Sequence, residues 1–400
     1  MFDYDFDLDG VLRWLRQNGS KRVLIEAPDG LKGAVIERVF PKLRENGYTV
    51  FLSSKPYHGA CEVGDEEGRA LGVDHVVHFG HNQMVARALP TLYVPAYSRF
   101  DPSPSFPQLD ALLGDTGKRI GIAASVQYLP SLDAIEAHLR ERSYEVIRGK
   151  GNRAAERAQI LGCDYIALTS LRGQVDLFLL VASGDFHPLG ALLALERPIL
   201  QLDPYSMSWH RLDVGSVKPW LVKEGYAWLK LLDAKRVGVV VGTEPGQKFL
   251  WEAEAAAKAI RAMGKEVALI SASFLDAAGL SALPFDVLVL AACPRLPYDD
   301  SEAFGRPVVS VFSVLRGGPG GLTSWLRGEK FESAVPLGEL EKRGAVKGIE
   351  EQGAVGNPIS ESNPSDARNR LKCPFQGVEP LGFVGQRTPD VFPHVPYPYG

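Results

Sequence analysis

The apolar positions of this chain fall into a pattern that recurs three times. Each copy opens on a basic pair and a short apolar run: Lys21-Arg22-Val23-Leu24-Ile25, Lys118-Arg119-Ile120-Gly121-Ile122 and Lys235-Arg236-Val237-Gly238-Val239-Val240-Val241. Unbroken runs of this kind read as strands buried on both faces of a parallel sheet. A helical pattern follows each, over 31–46, 132–142 and 249–263, and then a second strand at 48–52, 144–147 and 265–270. The opening Arg lies 28, 27 and 31 residues before the Val of that second strand. A third strand is expected in each copy, at 74–79, 164–168 and 286–290. Strand, helix, strand, linker, strand makes a βαβ-rich unit of the size such crossovers need.

The pattern predicts an α/β fold of three pseudo-repeated βαβ-rich domains with parallel sheets, at 1–105, 106–217 and 218–330. Residues 331–400 differ: they hold nine prolines and little periodicity, and read as a Pro-rich tail. Across the 400 residues, 45% are apolar and 23% charged, which supports a sizeable core. Forty-four basic against 48 acidic residues give a formal charge of −4. That balance argues against a chain built to coat nucleic acid or an anionic membrane. No apolar run is long enough to span a bilayer. The acidic start, Met1-Phe2-Asp3-Tyr4-Asp5, lacks the basic region of a secretory signal, so a cytoplasmic location is expected.

The cysteines change the picture. There are four, Cys61, Cys163, Cys293 and Cys373, and none belongs to a local CxxC cluster. The first three fall one to a repeat. Cys61 lies in the loop leaving a second strand, and Cys293 at the carboxyl end of a third strand, where open parallel sheets place their ligand sites. Cys163 instead falls at the start of an expected strand. A single cysteine is most often a small buried hydrophobe. Three, one per repeat, suit a joint centre that leaves one iron of a four-iron cube, or one position of a tetrahedral zinc, open for chemistry.

Six segments then carry a family resemblance: Ile25-Glu26-Ala27-Pro28-Asp29-Gly30-Leu31-Lys32, Tyr57-His58-Gly59-Ala60-Cys61, Val77-His78-Phe79-Gly80-His81, Ala158-Gln159-Ile160-Leu161-Gly162-Cys163, Asp203-Pro204-Tyr205-Ser206, and Ala292-Cys293-Pro294-Arg295 with Asp299-Asp300. Together they resemble the archaeal diphthamide biosynthesis enzymes, the 2-(3-amino-3-carboxypropyl)histidine synthases. The resemblance implies a homodimer of three related domains around a [4Fe–4S] cluster held by Cys61, Cys163 and Cys293. It implies radical cleavage of the Cγ–S bond of S-adenosylmethionine. The 3-amino-3-carboxypropyl group then passes to C2 of a histidine imidazole on elongation factor 2, with electrons from a separate donor. Cys373 lies outside the resemblance. A quinolinate synthase-like enzyme, with its own three-cysteine cluster, and a noncatalytic subunit that binds the elongation factor or passes electrons are the competing readings.

Further residues are expected near the site. The turn Gly242-Thr243-Glu244-Pro245-Gly246-Gln247-Lys248 follows a strand and opens a helix, so the amides around Gly242, Thr243, Gly246 and Gln247 are candidates to hold S-adenosylmethionine. Arg295, a guanidinium fork beside Cys293, is a candidate for its carboxylate, an interdomain salt bridge being the other reading. His187 is a candidate to contact substrate or handle a proton. His75, His78 and His81 look like a metal cluster, but His75 and His78 point to opposite faces of a strand. Only His81, just past the strand end, is kept near the site.

Overall fold

The computed structural model describes residues 3–114, 117–329 and 331. The strands of the first segment are β1 (Tyr4–Asp5), β2 (Arg22–Glu26), β3 (Thr49–Leu52), β4 (His75–Phe79), β5 (Thr91–Val94) and β6 (Tyr97–Ser98). The second segment carries β7 (Arg119–Ala124), β8 (Glu145–Ile147), β9 (Leu177–Val181), β10 (Ile199–Asp203) and β11 (Ser208–Leu212). The third carries β12 (Arg236–Gly242), β13 (Glu266–Ala272), β14 (Val287–Ala291) and β15 (Val308–Ser310). Three sheets result, ordered β3-β2-β4-β5, β8-β7-β9-β10-β11 and β13-β12-β14-β15. The same order recurs: the opening strand is second from the edge, flanked by the next strand on one side and the third on the other. All these pairs are parallel except β10 with β11, an antiparallel addition to the second sheet. A small antiparallel pair, β1 with β6, stands apart.

The apolar runs form central strands because burial rewards them on both faces. Val23, Leu24, Ile25, Ile120, Ile122, Val237, Val239 and Val240 are all fully buried. Each such side chain contributes about 1.5–3 kcal/mol by leaving water. An aspartate pins the amino end of each sheet. The Asp74 carboxylate accepts from the amides of Lys21 (2.7 Å) and Arg22 (2.8 Å), and Asp286 accepts from those of Lys235 (2.9 Å) and Arg236 (2.8 Å). Asp176 takes the Arg119 amide at 3.0 Å. Each also returns its own amide to the opening Arg carbonyl.

Two expectations are corrected. The helix expected over 31–46 is two, Asp29–Arg38 and Phe40–Glu45, because Pro41 in the first turn of the second lacks the N–H that would continue the first. The strand expected at 164–168 is a short helix, Ile166–Thr169. The Asp164 carboxylate accepts the Ile166 amide at 3.0 Å and starts the turn, while Tyr165, Ala167 and Leu168 face the core. The third strand of this segment is β9, directly after Asp176. Cys163 therefore lies beyond the carboxyl end of β8, just as Cys61 lies beyond that of β3. Among the described residues no helix is long and apolar enough to cross a membrane. The Pro-rich tail, with Cys373, lies outside the described residues apart from Phe331.

Candidate metal centre and its surroundings

The three sheets bring Cys61, Cys163 and Cys293 to one junction, and all three are free thiols. Each is held in place by a different segment of the chain. Cys61 sits in the loop between β3 and the helix Asp65–Ala70. Its carbonyl accepts the Gly246 amide at 2.9 Å, and its Sγ accepts from Gln247 Nε2 at 3.3 Å. Glu244 accepts the Val63 amide at 3.1 Å and ion-pairs with Lys55. The close approach explains Gly246, where a Cβ would lie 2.5 Å from Cys61 Cα.

Cys163 occupies a turn closed by reciprocal hydrogen bonds between Leu161 and Asp164, at 3.0 and 3.1 Å. Gly162 packs beneath the Phe186 ring with no room for a side chain. Arg295 reaches this turn from the third sheet. Its Nη1 donates to Tyr165 Oη (3.0 Å) and the Gly162 carbonyl (3.4 Å), and its Nη2 to the Phe186 carbonyl (2.7 Å). Asp299 takes Nε (2.9 Å) and Nη2 (3.1 Å). The guanidinium also stacks over Phe186, 4.0 Å from the ring centre. Cys293 lies just past β14, and the Arg295 amide donates to it.

The thiols keep some accessible surface but sit deep in protein. Burial pushes each of them up to about 12, and each is raised further by a neighbouring thiol: Cys61 by Cys293, Cys163 by Cys61, Cys293 by Cys163. They therefore stay protonated unless a bound cation converts them to thiolates. Three soft donors near enough to sense one another's charge, with no disulfide between them, fit an iron–sulfur cluster. In a cube each cysteine binds its own iron, so the donors need not meet at one point. Among the described residues no group of three or more His, Cys, Asp or Glu is gathered as for a single metal ion.

The expected cosubstrate contacts are partly corrected. The amides of Thr243, Gly246 and Gln247 all donate inside the protein, to the carbonyls of Ala272, Cys61 and Glu244, each at 2.9 Å. Gly242 is closed in by Ala292. This turn holds the Cys61 loop and has no amide free for a ligand at those three positions. Arg295, with five hydrogen bonds and 2% exposure, is the interdomain tie and has no donor to spare for a carboxylate.

His187 opens the helix Phe186–Leu195, and its Nδ1 is buried without a partner. Burial, with a smaller push from Arg295, brings its pKa down to about 3, so the ring is neutral. His75 packs edge-on against Trp14, away from His78, as strand alternation requires. His81 lies 2.9 Å from His78 through ring nitrogens, and burial, then His78, lowers it to about 3. Sequence reasoning passed over Glu26, which binds His78 at 2.7 Å. A carboxylate ending a fully buried strand was the available signal.

Three linked parallel sheets that each send one free thiol to a common junction define an α/β protein with a three-cysteine centre. Residues 27–315 match the family model described as "Putative diphthamide synthesis protein". The 2-(3-amino-3-carboxypropyl)histidine synthase of Pyrococcus horikoshii is 33% identical over 303 residues, covering 75% of this chain and 86% of that protein. The enzyme of the same name from Methanocaldococcus jannaschii is 24% identical over 333 residues, 76% and 87% of the two chains. The crystal structure of Dph2 from Pyrococcus horikoshii with a 4Fe-4S cluster superposes with a TM-score of 0.72 at 30% identity, covering 83% of this chain and 94% of that one. This chain belongs to the diphthamide synthesis family.

Proposed function

We propose that this chain is a 2-(3-amino-3-carboxypropyl)histidine synthase. It moves the 3-amino-3-carboxypropyl group of S-adenosylmethionine to C2 of a histidine imidazole on elongation factor 2, the first step of diphthamide synthesis. The observation that carries this reading is the junction of three free thiols, one from each sheet, in a chain of this family. Cys61, Cys163 and Cys293 would hold a [4Fe–4S] cluster, which three ligands leave open at one iron. When bound, the cluster supplies the single electron that breaks the Cγ–S bond and releases methylthioadenosine. The chain's own residues keep that chemistry in order. Gln247 and Gly246 fix Cys61, and Arg295 fixes the turn of Cys163, so the donors are set by contacts between segments. The dense surroundings that keep the thiols protonated also exclude water from reactive fragments. His187 offers a neutral ring with an unpartnered Nδ1 to a polar group of the substrate. We take the working form to be a cytoplasmic homodimer served by a separate electron donor.

The test is anaerobic reconstitution of the full chain with iron and sulfide. About four irons per chain and a reduced-cluster paramagnetic signal that changes with S-adenosylmethionine are expected. Adding elongation factor 2 then yields methylthioadenosine and a histidine heavier by the transferred group. Zinc in place of iron, or a loaded chain that never releases methylthioadenosine, overturns the reading.

A further inference from the structure

The surroundings of the three thiols are not alike. Cys163 has the Arg153 guanidinium beside it, and Cys293 has the Arg295 amide and guanidinium. At Cys61 the donor is a neutral side-chain amide, that of Gln247, and the charged neighbour is a carboxylate, that of Glu62.

Gln247 and Glu62 are both buried, each 8% exposed, and they meet at the Cys61 sulfur from different segments of the chain. Gln247 Nε2 lies 3.3 Å from Cys61 Sγ and 3.4 Å from Glu62 Oε1. A carboxylate oxygen only accepts, so the amide must turn its NH₂ toward this pair, where its two hydrogens can serve one partner each. The backbone on either side is fixed as well, since the Gly246 amide donates to the Cys61 carbonyl at 2.9 Å. Glu62 is held independently by His58. The His58 amide donates to Glu62 Oε2 at 2.8 Å, and the His58 ring Nδ1 stands 3.5 Å from Oε1. The carboxylate is therefore kept beside Cys61 by contacts that do not need Gln247.

An electron added to an iron–sulfur cluster raises the negative charge on its sulfur ligands. A hydrogen-bond donor to a ligand sulfur then holds the reduced form more strongly than the oxidised one, and an anion beside that sulfur does the opposite. Both effects are strong in a buried site, where little water screens them. Gln247 acts twice in this scheme. It donates to the sulfur, and it occupies the Glu62 oxygen that would otherwise face the ligand without a close partner.

We propose that Gln247 and Glu62 set the reduction potential of the cluster through Cys61, Gln247 raising it and Glu62 lowering it. This rests on the part of the functional reading that makes Cys61 a cluster ligand. One electron from a low-potential donor, dithionite in vitro, adds to the cluster, and no covalent bond of the chain is made or broken. Gln247 and Glu62 touch a ligand and not the reacting atoms, so both are positioning residues.

The test is an anaerobic potentiometric titration of the full chain reconstituted with iron and sulfide, followed by electron paramagnetic resonance. The unsubstituted protein is compared with Gln247→Met and Glu62→Gln at equal iron content. Methionine keeps the length of the side chain and removes the donor. Glutamine keeps an oxygen for the His58 amide and removes the charge. Gln247→Met should lower the equilibrium constant for one-electron reduction about tenfold, a shift of about 59 mV. Glu62→Gln should raise it by a similar factor. A junction that is merely loosened would move both variants the same way, so the opposite signs separate tuning from structure. Any other pair of results overturns the proposal. If one variant fails to load iron, the sign of the other decides alone. Opposite shifts in a chain that releases no methylthioadenosine would overturn the functional reading and leave the tuning in place, whereas a chain that assembles no cluster overturns both.

Discussion

The first and third sheets share a strand order and an amino-terminal clamp, yet their carboxyl ends differ in kind. At the amino end, Asp74 and Asp286 hold the opening strands through the same pair of amides. At the carboxyl end, the first sheet presents Glu26 beside His78, a buried and hydrogen-bonded pair. The third presents Val241 beside Ala291, followed by Gly242 and Ala292, which are small enough for loops to pack closely. One scaffold therefore serves two purposes. The first sheet's edge holds a buried carboxylate among four donors, and the third's brings backbone up to Cys61 and carries Cys293. Chemistry is written where the strands end, and the shared clamp lies at the opposite end.

The largest effect should come from removing what both carboxyl edges contribute to jointly. Cys61→Ala and Cys293→Ala, one from each sheet, should each lower iron per chain sharply after reconstitution and abolish methylthioadenosine release. Cys163→Ala should match them. Cys373→Ala should leave iron content unchanged. Iron and sulfide analysis of the four variants decides the matter, and equal losses in all four would remove the junction from its role.

A middle-sized effect separates the packing role of the third sheet from its ligand. Gly246→Ala keeps every cysteine but puts a methyl 2.5 Å from Cys61 Cα. Backbone on both sides must shift, at a cost of about 1–3 kcal/mol. The melting temperature should drop, and a chelator should strip iron faster than from the unsubstituted protein. Gly225→Ala, in the helix Lys218–Asp233 with open space around the new methyl, should leave iron release unchanged and raise stability slightly. A Gly246→Ala protein that melts and releases iron normally would mean that the two edges do not support each other.

The repeating scaffold is legible in the sequence because its opening strands are unbroken apolar runs between basic pairs and helical patterns. The exception shows the limit of that signal. Tyr165-Ile166-Ala167-Leu168 is as apolar as a strand, but a run of four is also one turn of buried helix, and the Asp164 carboxylate decides for the turn. The true third strand, Leu177-Phe178-Leu179-Leu180-Val181, lies beyond a longer connection that periodicity alone does not measure. The site follows the same division. Three cysteines, one per segment, are visible in the chain. The occupation of Arg295 is not, because its partners at Gly162, Tyr165 and Phe186 are more than a hundred residues away. Alternation correctly separates His75 from His78. The turn at Gly80 that returns His81 to His78 lies past the strand, where alternation no longer applies.

The smallest effect tests the shared end of the comparison. The carboxyls of Asp74 and Asp286 are both held below their ordinary range, first by the amide of the Arg that begins the opening strand and then by that of the Lys before it. A carboxyl lowered on folding adds stability above its unfolded pKa, about 3.9 for Asp. That stability is lost as pH falls through the lower folded value, once both states are protonated. Asp74→Ala and Asp286→Ala should therefore each destabilise the protein modestly at pH 7, with the ionic part of the difference shrinking as the pH is lowered past that range. Both clamps are exposed, so solvent screens them and the loss is small in either sheet. Urea denaturation of the two variants across pH is the measurement. Matching losses would show that the amino ends of the two sheets are equivalent, so that their divergence belongs to the carboxyl edges. A loss confined to Asp74→Ala would instead mean that the clamp also steadies the Glu26–His78 pair at the far end of β2, and that the two ends of this sheet are coupled through the strand.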